Sequence, residues 1–151
     1  MNLGSLPTRH ARYRPDHLGF VFEDRRLNYS AFNCEINRLC NAMLAYGVTK
    51  GDHVFSVLSN SFELMTLYWM AAKTGIVIVP ASTLLQASGL KSLIADSDAI
   101  MVFAGARFAD TLSEIRSGLS GVRDDGYILI GNETPAPEGY RCYIDLIGDA
   151  S

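Results

Sequence analysis

The stretch His53-Val-Phe-Ser-Val-Leu-Ser-Asn-Ser-Phe62-Glu-Leu-Met-Thr-Leu-Tyr-Trp-Met-Ala-Ala-Lys-Thr-Gly75-Ile-Val-Ile-Val-Pro80 decides the fold. Its opening run, His53 to Leu58, is nearly continuous in apolar residues, the pattern of a strand covered on both faces. Asn60 and Ser61 carry side-chain oxygens suited to capping, and the spacing predicts a helix over Phe62 to Thr74. Gly75 ends that helix, Ile76 to Val79 places four β-branched residues in a row, and Pro80 closes the strand. A strand, a helix and a second strand joined by short polar links form a parallel crossover. The run from Phe62 to Pro80 is apolar enough to suggest a membrane span, but Glu63 and Lys73 interrupt it, and Gly75 and Pro80 divide it.

Downstream the cycle repeats. Leu90, Leu93 and Ile94 mark a short helix, Ala99 to Phe103 a strand, Phe108, Leu112, Ile115 and Leu119 a helix, and Tyr127 to Ile130 a strand. After Gly131 the composition shifts to Asn-Glu-Thr-Pro-Ala-Pro-Glu-Gly, a loop or linker, and the last periodic feature is Tyr143 to Ile147. Upstream, Leu18 to Ser30 holds two short apolar runs about a polar Asp24-Arg25-Arg26 turn, which predicts a β-hairpin. Ser30 stands at an N-cap position, and Phe32, Ile36, Leu39, Cys40, Met43 and Leu44 recur at helical spacing before Gly47 at C′. The expected fold class is α/β: a mostly parallel sheet with helices on both faces, preceded by a short N-terminal hairpin.

At 151 residues the chain is long enough to bury roughly 70% of its unfolded surface in one core. Its 48% apolar content exceeds what such a domain needs, so some apolar surface is expected to serve a neighbour or self-association. Thirteen basic and sixteen acidic residues leave a formal net charge of -3, with no basic block beyond the first turns, which argues against a nucleic-acid footprint. Cys34, Cys40 and Cys142 form no Cys-x-x-Cys pair. Cys34 and Cys40 are turned about 120° apart around a helix, so all three read as small buried hydrophobes of a reduced, cytoplasmic protein. Arg9, His10, Arg12 and Arg14 precede the first acid, a pattern shared with transit peptides, but no apolar signal core follows.

Residues that could carry chemistry are sparse. Gly105-Ala-Arg-Phe lies at a strand-to-helix junction where an anion could dock beside Arg107, but a plain turn is the favoured reading. His10, His17 and His53 have no recognisable nucleophile partner, and His53 beside Asp52 reads as a surface turn residue. Asp96 with Asp98 and Asp124 with Asp125 fall in expected turns, where solvated acids outnumber catalytic ones. Trp69, Tyr68 and Met65 could line a ligand face, although such spacing more often marks a core.

Taken in order, the landmarks resemble the opening of the acyl-adenylate-forming family, which contains acyl-CoA synthetases. They are an Arg-rich first helix with Arg14-Pro15-Asp16, then Phe22-Glu-Asp-Arg-Arg-Leu-Asn-Tyr-Ser-Ala-Phe, Asn37-Arg38-Leu39, Gly47-Val48 and Lys50-Gly51-Asp52-His53-Val54. Ser59-Asn60-Ser61-Phe62-Glu63, Ala72 to Pro80 and Leu93 to Ala99 complete the series. Ala31 and Phe32 depart from the Glu-Leu that commonly follows the family's tyrosine.

The resemblance implies that residues 1–151 are the N-terminal part of an AMP-binding, acyl-CoA-synthetase-like domain, with no complete second domain. It implies a parent carboxylate-CoA ligase using Mg-ATP and coenzyme A, and a chain inactive alone because the phosphate loop and catalytic motifs belong to the missing remainder of the synthetase. No catalytic or metal-binding residue carries over. Ala81-Ser-Thr-Leu-Leu85 stands where many members read Asn-Pro-Arg-Leu, so Thr83 takes the place of an arginine that reaches coenzyme A phosphate; a hydroxyl bonds phosphate without neutralising it. The competing reading is a stand-alone flavodoxin-like module that grips a nucleotide at Gly105 or binds a protein.

Overall fold

Gly51–Ser59 and Val77–Leu146 form one of two compact units, and its frame is a five-stranded parallel sheet. The computed structural model describes residues 2–131, 135–148 and 150; the expected linker after Gly131 falls partly on residues 132–134, outside the described residues. The strands are β3 (His53–Val57), β4 (Val77–Pro80), β5 (Ala99–Gly105), β6 (Tyr127–Ile130) and β7 (Arg141–Cys142), arranged β4-β3-β5-β6-β7. Register is set by pairs such as Phe55 with Val79 and Val102, and Ala104 with Leu129.

Alternation along the strands divides the apolar residues between two faces. Phe55, Val57, Val102, Ala104, Tyr127 and Leu129 meet Leu90 and Ile94 of α4 (Ala87–Asp96) and Leu112 and Ile115 of α5 (Ala109–Ile115) in one core. Phe103 points the other way, against Tyr143 at the start of α6 (Tyr143–Gly148), with ring centroids 6.4 Å apart. Helices therefore flank both faces, as the alternating pattern requires.

The other unit contains Met1–Lys50, Asn60–Ile76 and Ile147–Ser151. It holds α1 (Ser5–Tyr13), the antiparallel hairpin β1 (Leu18–Phe22) with β2 (Arg25–Asn28), α2 (Tyr29–Ala45) and α3 (Phe62–Thr74). The hairpin turns at Glu23-Asp24, one step before the expected turn. Arg25 and Arg26 belong to β2, and Arg25 reaches Glu35 at 3.2 Å and Glu63 at 3.4 Å. Asn28, not Ser30, caps α2: its Oδ1 accepts from Ala31 N at 2.8 Å because β2 ends there in extended geometry. Ser61 caps α3, and Gly75 ends it with a left-handed φ of 79°.

Two burial expectations fail. Cys34 is exposed, because it lies off the Phe32, Ile36, Leu39 and Met43 stripe that α2 buries. On α3 the buried stripe is Phe62, Thr66, Leu67 and Met70, which leaves Met65 and Tyr68 exposed and Trp69 half-buried.

Tyr127 is 2% exposed, and its hydroxyl has no hydrogen-bond partner among the described residues. Burial raises its pKa above the ordinary 10.0, with the nearby Arg116 opposing the rise. The native state thus holds this proton more tightly than the unfolded chain does. The stability linked to it is intact below about pH 10 and is lost as the pH climbs through the folded pKa. Tyr127→Phe removes both the unpaired hydroxyl and this titration. Urea unfolding is expected to show equal or higher stability at neutral pH, by up to about 1 kcal/mol, and a shallower alkaline decline. A loss above about 1 kcal/mol at neutral pH would contradict the assignment.

Candidate functional site at the carboxyl edge of the sheet

From β3 the chain crosses to β4 on one side, whereas β5, β6 and β7 build outward on the other. The β3–β5 boundary is therefore the topological switch point, and in open α/β sheets ligands settle beside it, outside the carboxyl ends of the strands. Within this unit that edge carries Ser59 after β3, Ala81 to Leu84 after β4, Gly105 to Arg107 at the end of β5, and Gly131 after β6.

Pro80, the last residue of β4, has no N–H to offer the ladder. Ala81 N donates to Ser56 O at 2.8 Å and extends the β3–β4 pairing by one step. The chain then turns: Leu84 N donates to Ser82 Oγ at 3.2 Å, Leu85 N donates to Ser82 O at 3.3 Å, and Leu84 is left 85% exposed. Thr83 sits in this turn, half-buried, and its hydroxyl makes no hydrogen bond among the described residues.

Gly105 does not behave as a phosphate-gripping glycine. Its φ of -62° is open to any residue, and an added Cβ would meet only Phe108 Cδ2, at an ordinary 3.9 Å. Arg107 is exposed, with its guanidinium carbon 4.8 Å from the centroid of the Phe108 ring. This is the plain turn.

The remaining polar candidates are dispersed. His53 is half-buried rather than a free turn residue: its Nδ1 lies 2.6 Å from Ser97 O, so the ring donates there and ties β3 to the α4–β5 turn. His10 stacks on Tyr29 at 4.7 Å, and His17 bonds through its backbone to Arg14 and Tyr29. Asp96, Asp98, Asp124 and Asp125 are exposed at turns or a helix end, and Asp98 takes a left-handed φ of 53°. No three His, Cys, Asp or Glu side chains converge among the described residues, so these residues do not on their own fit a magnesium site.

Two polar clusters had no counterpart in the sequence reading. Arg116 donates to Gly139 O at 2.6 Å and to Asp124 O, and lies over the rings of Tyr127 and Tyr140 at 4.1 and 5.7 Å. Tyr140 donates to Ala109 O at 2.8 Å, so the segment before β7 is fastened to α5. On the other unit, Lys73 donates to Asn33 Oδ1 at 2.8 Å and Asn37 Oδ1 at 2.6 Å, while burial lowers its pKa. Asn33 and Asn37 stand four apart on α2, a spacing that gives them one helix face. Both clusters join elements of the fold.

Comparison with known proteins gives this edge its context. The model for the family described as AMP-binding enzyme matches residues 7–140. The long-chain-fatty-acid–CoA ligase FadD13 of Mycobacterium tuberculosis is 33% identical over 118 residues, covering 77% of this chain and 24% of that protein. The crotonobetaine/carnitine–CoA ligase of Salmonella paratyphi A is 29% identical over 136 residues, covering 87% of this chain and 26% of the ligase. A solved putative long-chain-fatty-acid CoA ligase from Rhodopseudomonas palustris superposes with a TM-score of 0.88 at 25% identity, over 100% of this chain and 36% of that one. The anthranilate CoA ligase AuaEII, solved with anthranoyl-AMP, shares the fold at a TM-score of 0.90 and 23% identity, over 99% of this chain and 28% of that one. The chain spans about a quarter of the length of the curated relatives it matches. With the strand order, the switch-point edge and a match through most of its length, the chain belongs to the family of AMP-binding enzymes.

Proposed function

We propose that this chain is the N-terminal scaffold of an ATP-dependent carboxylate-CoA ligase, which joins a carboxylate to AMP and then passes the acyl group to the thiol of coenzyme A. The observation that supports it is the family match over residues 7–140, set on a parallel sheet whose switch-point edge faces outward from β3 and β5. Joining a carboxylate to an α-phosphate brings two anions together, which calls for a divalent cation, a lysine and backbone amides. Among the described residues no three His, Cys, Asp or Glu side chains come together to hold such a cation. In this reading residues 1–151 form part of one AMP-binding domain in the cytoplasm, and Mg-ATP and coenzyme A engage groups from the rest of the synthetase. No helix among the described residues is long and apolar enough to cross a membrane. Exposed Leu84, Val77 and Ile144 are apolar surface available to that remainder or, in its absence, to a second copy.

The test is the coding sequence beyond Ser151. A Ser/Thr/Gly-rich stretch with Pro-Lys-Gly within a few tens of codons supports the proposal, and an unrelated sequence there overturns it. Thr83 belongs to the second half-reaction in this reading, on the coenzyme A side. In a ligase carrying this segment, Thr83→Val is expected to raise the coenzyme A KM roughly fivefold, about 1 kcal/mol, with ATP–pyrophosphate exchange unchanged. Equal loss of both activities would remove Thr83 from that role.

The order β4-β3-β5-β6-β7 is also that of flavodoxin-like sheets, which favours a self-sufficient nucleotide-binding module as the second reading. Calorimetry with AMP, ATP, FMN and coenzyme A separates the two: micromolar binding by this chain favours the module.

A further inference from the structure

The α1–β1–α2–α3 unit carries two adjoining cavities that the sheet-edge reading does not use. One, of about 250 Å³, is lined by Leu6, Pro7, His10, Phe20, Tyr29, Phe32 and Trp69, an almost wholly apolar and aromatic set. The other, of about 360 Å³, is lined by Leu6, Arg9, His10, Tyr13 and Arg14. Leu6, Arg9, His10 and Tyr13 fall at helical spacing along one stripe of α1, and Leu6 and His10 serve both cavities as a common wall. The His10 ring is braced by its parallel stack on Tyr29, 4.7 Å away. At its start, α1 is seated against α3 because Gly4 has no side chain: a Cβ there would fall 2.4 Å from Ala72 O.

Charge distinguishes the two compartments. Arg9 and Arg14 are exposed and form no ion pair among the described residues, and the wall they share holds no acid. A ligand that rested only in the aromatic cavity would leave these cations unused. One that rested only on the arginines would be screened and weakly held. From this juxtaposition we infer that the unit binds an amphipathic monoanion, a small molecule with a flat apolar body in the Phe20–Phe32–Trp69 cavity and a carboxylate head beside Arg9 and Arg14. The site is independent of the reading at the sheet edge, and its test does not involve ATP or coenzyme A.

Trp69 is the single tryptophan of the chain and lines the apolar cavity, so its emission reports occupancy there. 4-Phenylbutyrate and its neutral amide, 4-phenylbutyramide, are titrated into the 151-residue chain and into an Arg9→Ala/Arg14→Ala variant. The carboxylate is expected to give a saturable change in Trp69 emission, with the amide binding about tenfold more weakly. In the variant the carboxylate falls to the level of the amide while amide binding is unchanged, which also shows that the cavity is intact. Equal affinity for both ligands in the parent chain, absence of a saturable response, or loss of both ligands in the variant overturns the inference. So does a response confined to phosphatidylglycerol vesicles, which would assign the arginines to a lipid surface.

Discussion

Phe55→Ala is expected to lower the unfolding free energy by about 3–5 kcal/mol, the largest effect of any single substitution considered. Phe55 lies on β3, the strand between β4 and β5, and is 0% exposed. It sits in register with Val79 on one side and Val102 on the other, and shares a core with Leu90 and Ile94 of α4 and Leu112 of α5. Truncation removes a ring from the place where sheet and helices close together, and strands hydrogen-bonded on both sides cannot move in to fill the space. A domain of this kind is stable by only about 5–15 kcal/mol, so the variant should lose a large share of its stability. Phe55→Leu keeps most of the volume and should lose less than about 2 kcal/mol. Urea midpoints for the two variants supply the check, and a Phe55→Ala loss below about 1 kcal/mol would contradict the packing described here.

Gly126→Ala is expected to cost about 1–3 kcal/mol by the opposite mechanism, overpacking. A Cβ at this position would fall 2.8 Å from Ile100 O and 3.1 Å from Arg123 O, both backbone atoms. The residue cannot shift to make room, because its N–H donates to Arg123 O at 2.9 Å and its carbonyl accepts from Val102 N at 2.8 Å. Those bonds lead the chain from the turn at Asp124-Asp125 into β6. Heating monitored by circular dichroism should show a lower midpoint for Gly126→Ala. Gly121→Ala, whose Cβ would meet only Ala99 O at an ordinary 3.8 Å, should melt like the parent chain. Equal melting of all three proteins would remove the steric argument.

The elements that were legible in the sequence are those whose signals are local. Phe62–Thr74 begins at a Ser cap and ends at a left-handed glycine, and both signals lie within one turn of the helix they bound. Tyr127–Ile130 is a short apolar run between turns and forms the strand expected of it. Asn28 and Ser30 are both competent caps two residues apart; the register of β2 chose between them, and register is a property of the pair of strands. Arg25 looked like a turn residue because its partners, Glu35 and Glu63, are distant in sequence. β7 is two residues long and exists only because β6 lies beside it, so no local pattern announces it.

The candidate site divides in the same way. Thr83 is singled out only by the family resemblance, as the residue standing where many members carry an arginine, and it lies in the turn that follows β4. The plain turn at Gly105 is the reading the sequence favours, and its geometric ground, an ordinary φ and an open distance to Phe108, belongs to the folded chain. The Arg116 cluster was equally hidden: its acceptors are backbone carbonyls, which every residue possesses, and only the folded chain brings Gly139 and Asp124 to one guanidinium.

The division of labour proposed for this chain, framework without phosphate chemistry, is tested most directly by pyrophosphate release from the purified 151-residue protein. With ATP, magnesium and a panel of aliphatic and aromatic carboxylates, release should not exceed that of the protein-free mixture. Turnover at an enzymatic rate with any carboxylate of the panel would contradict it.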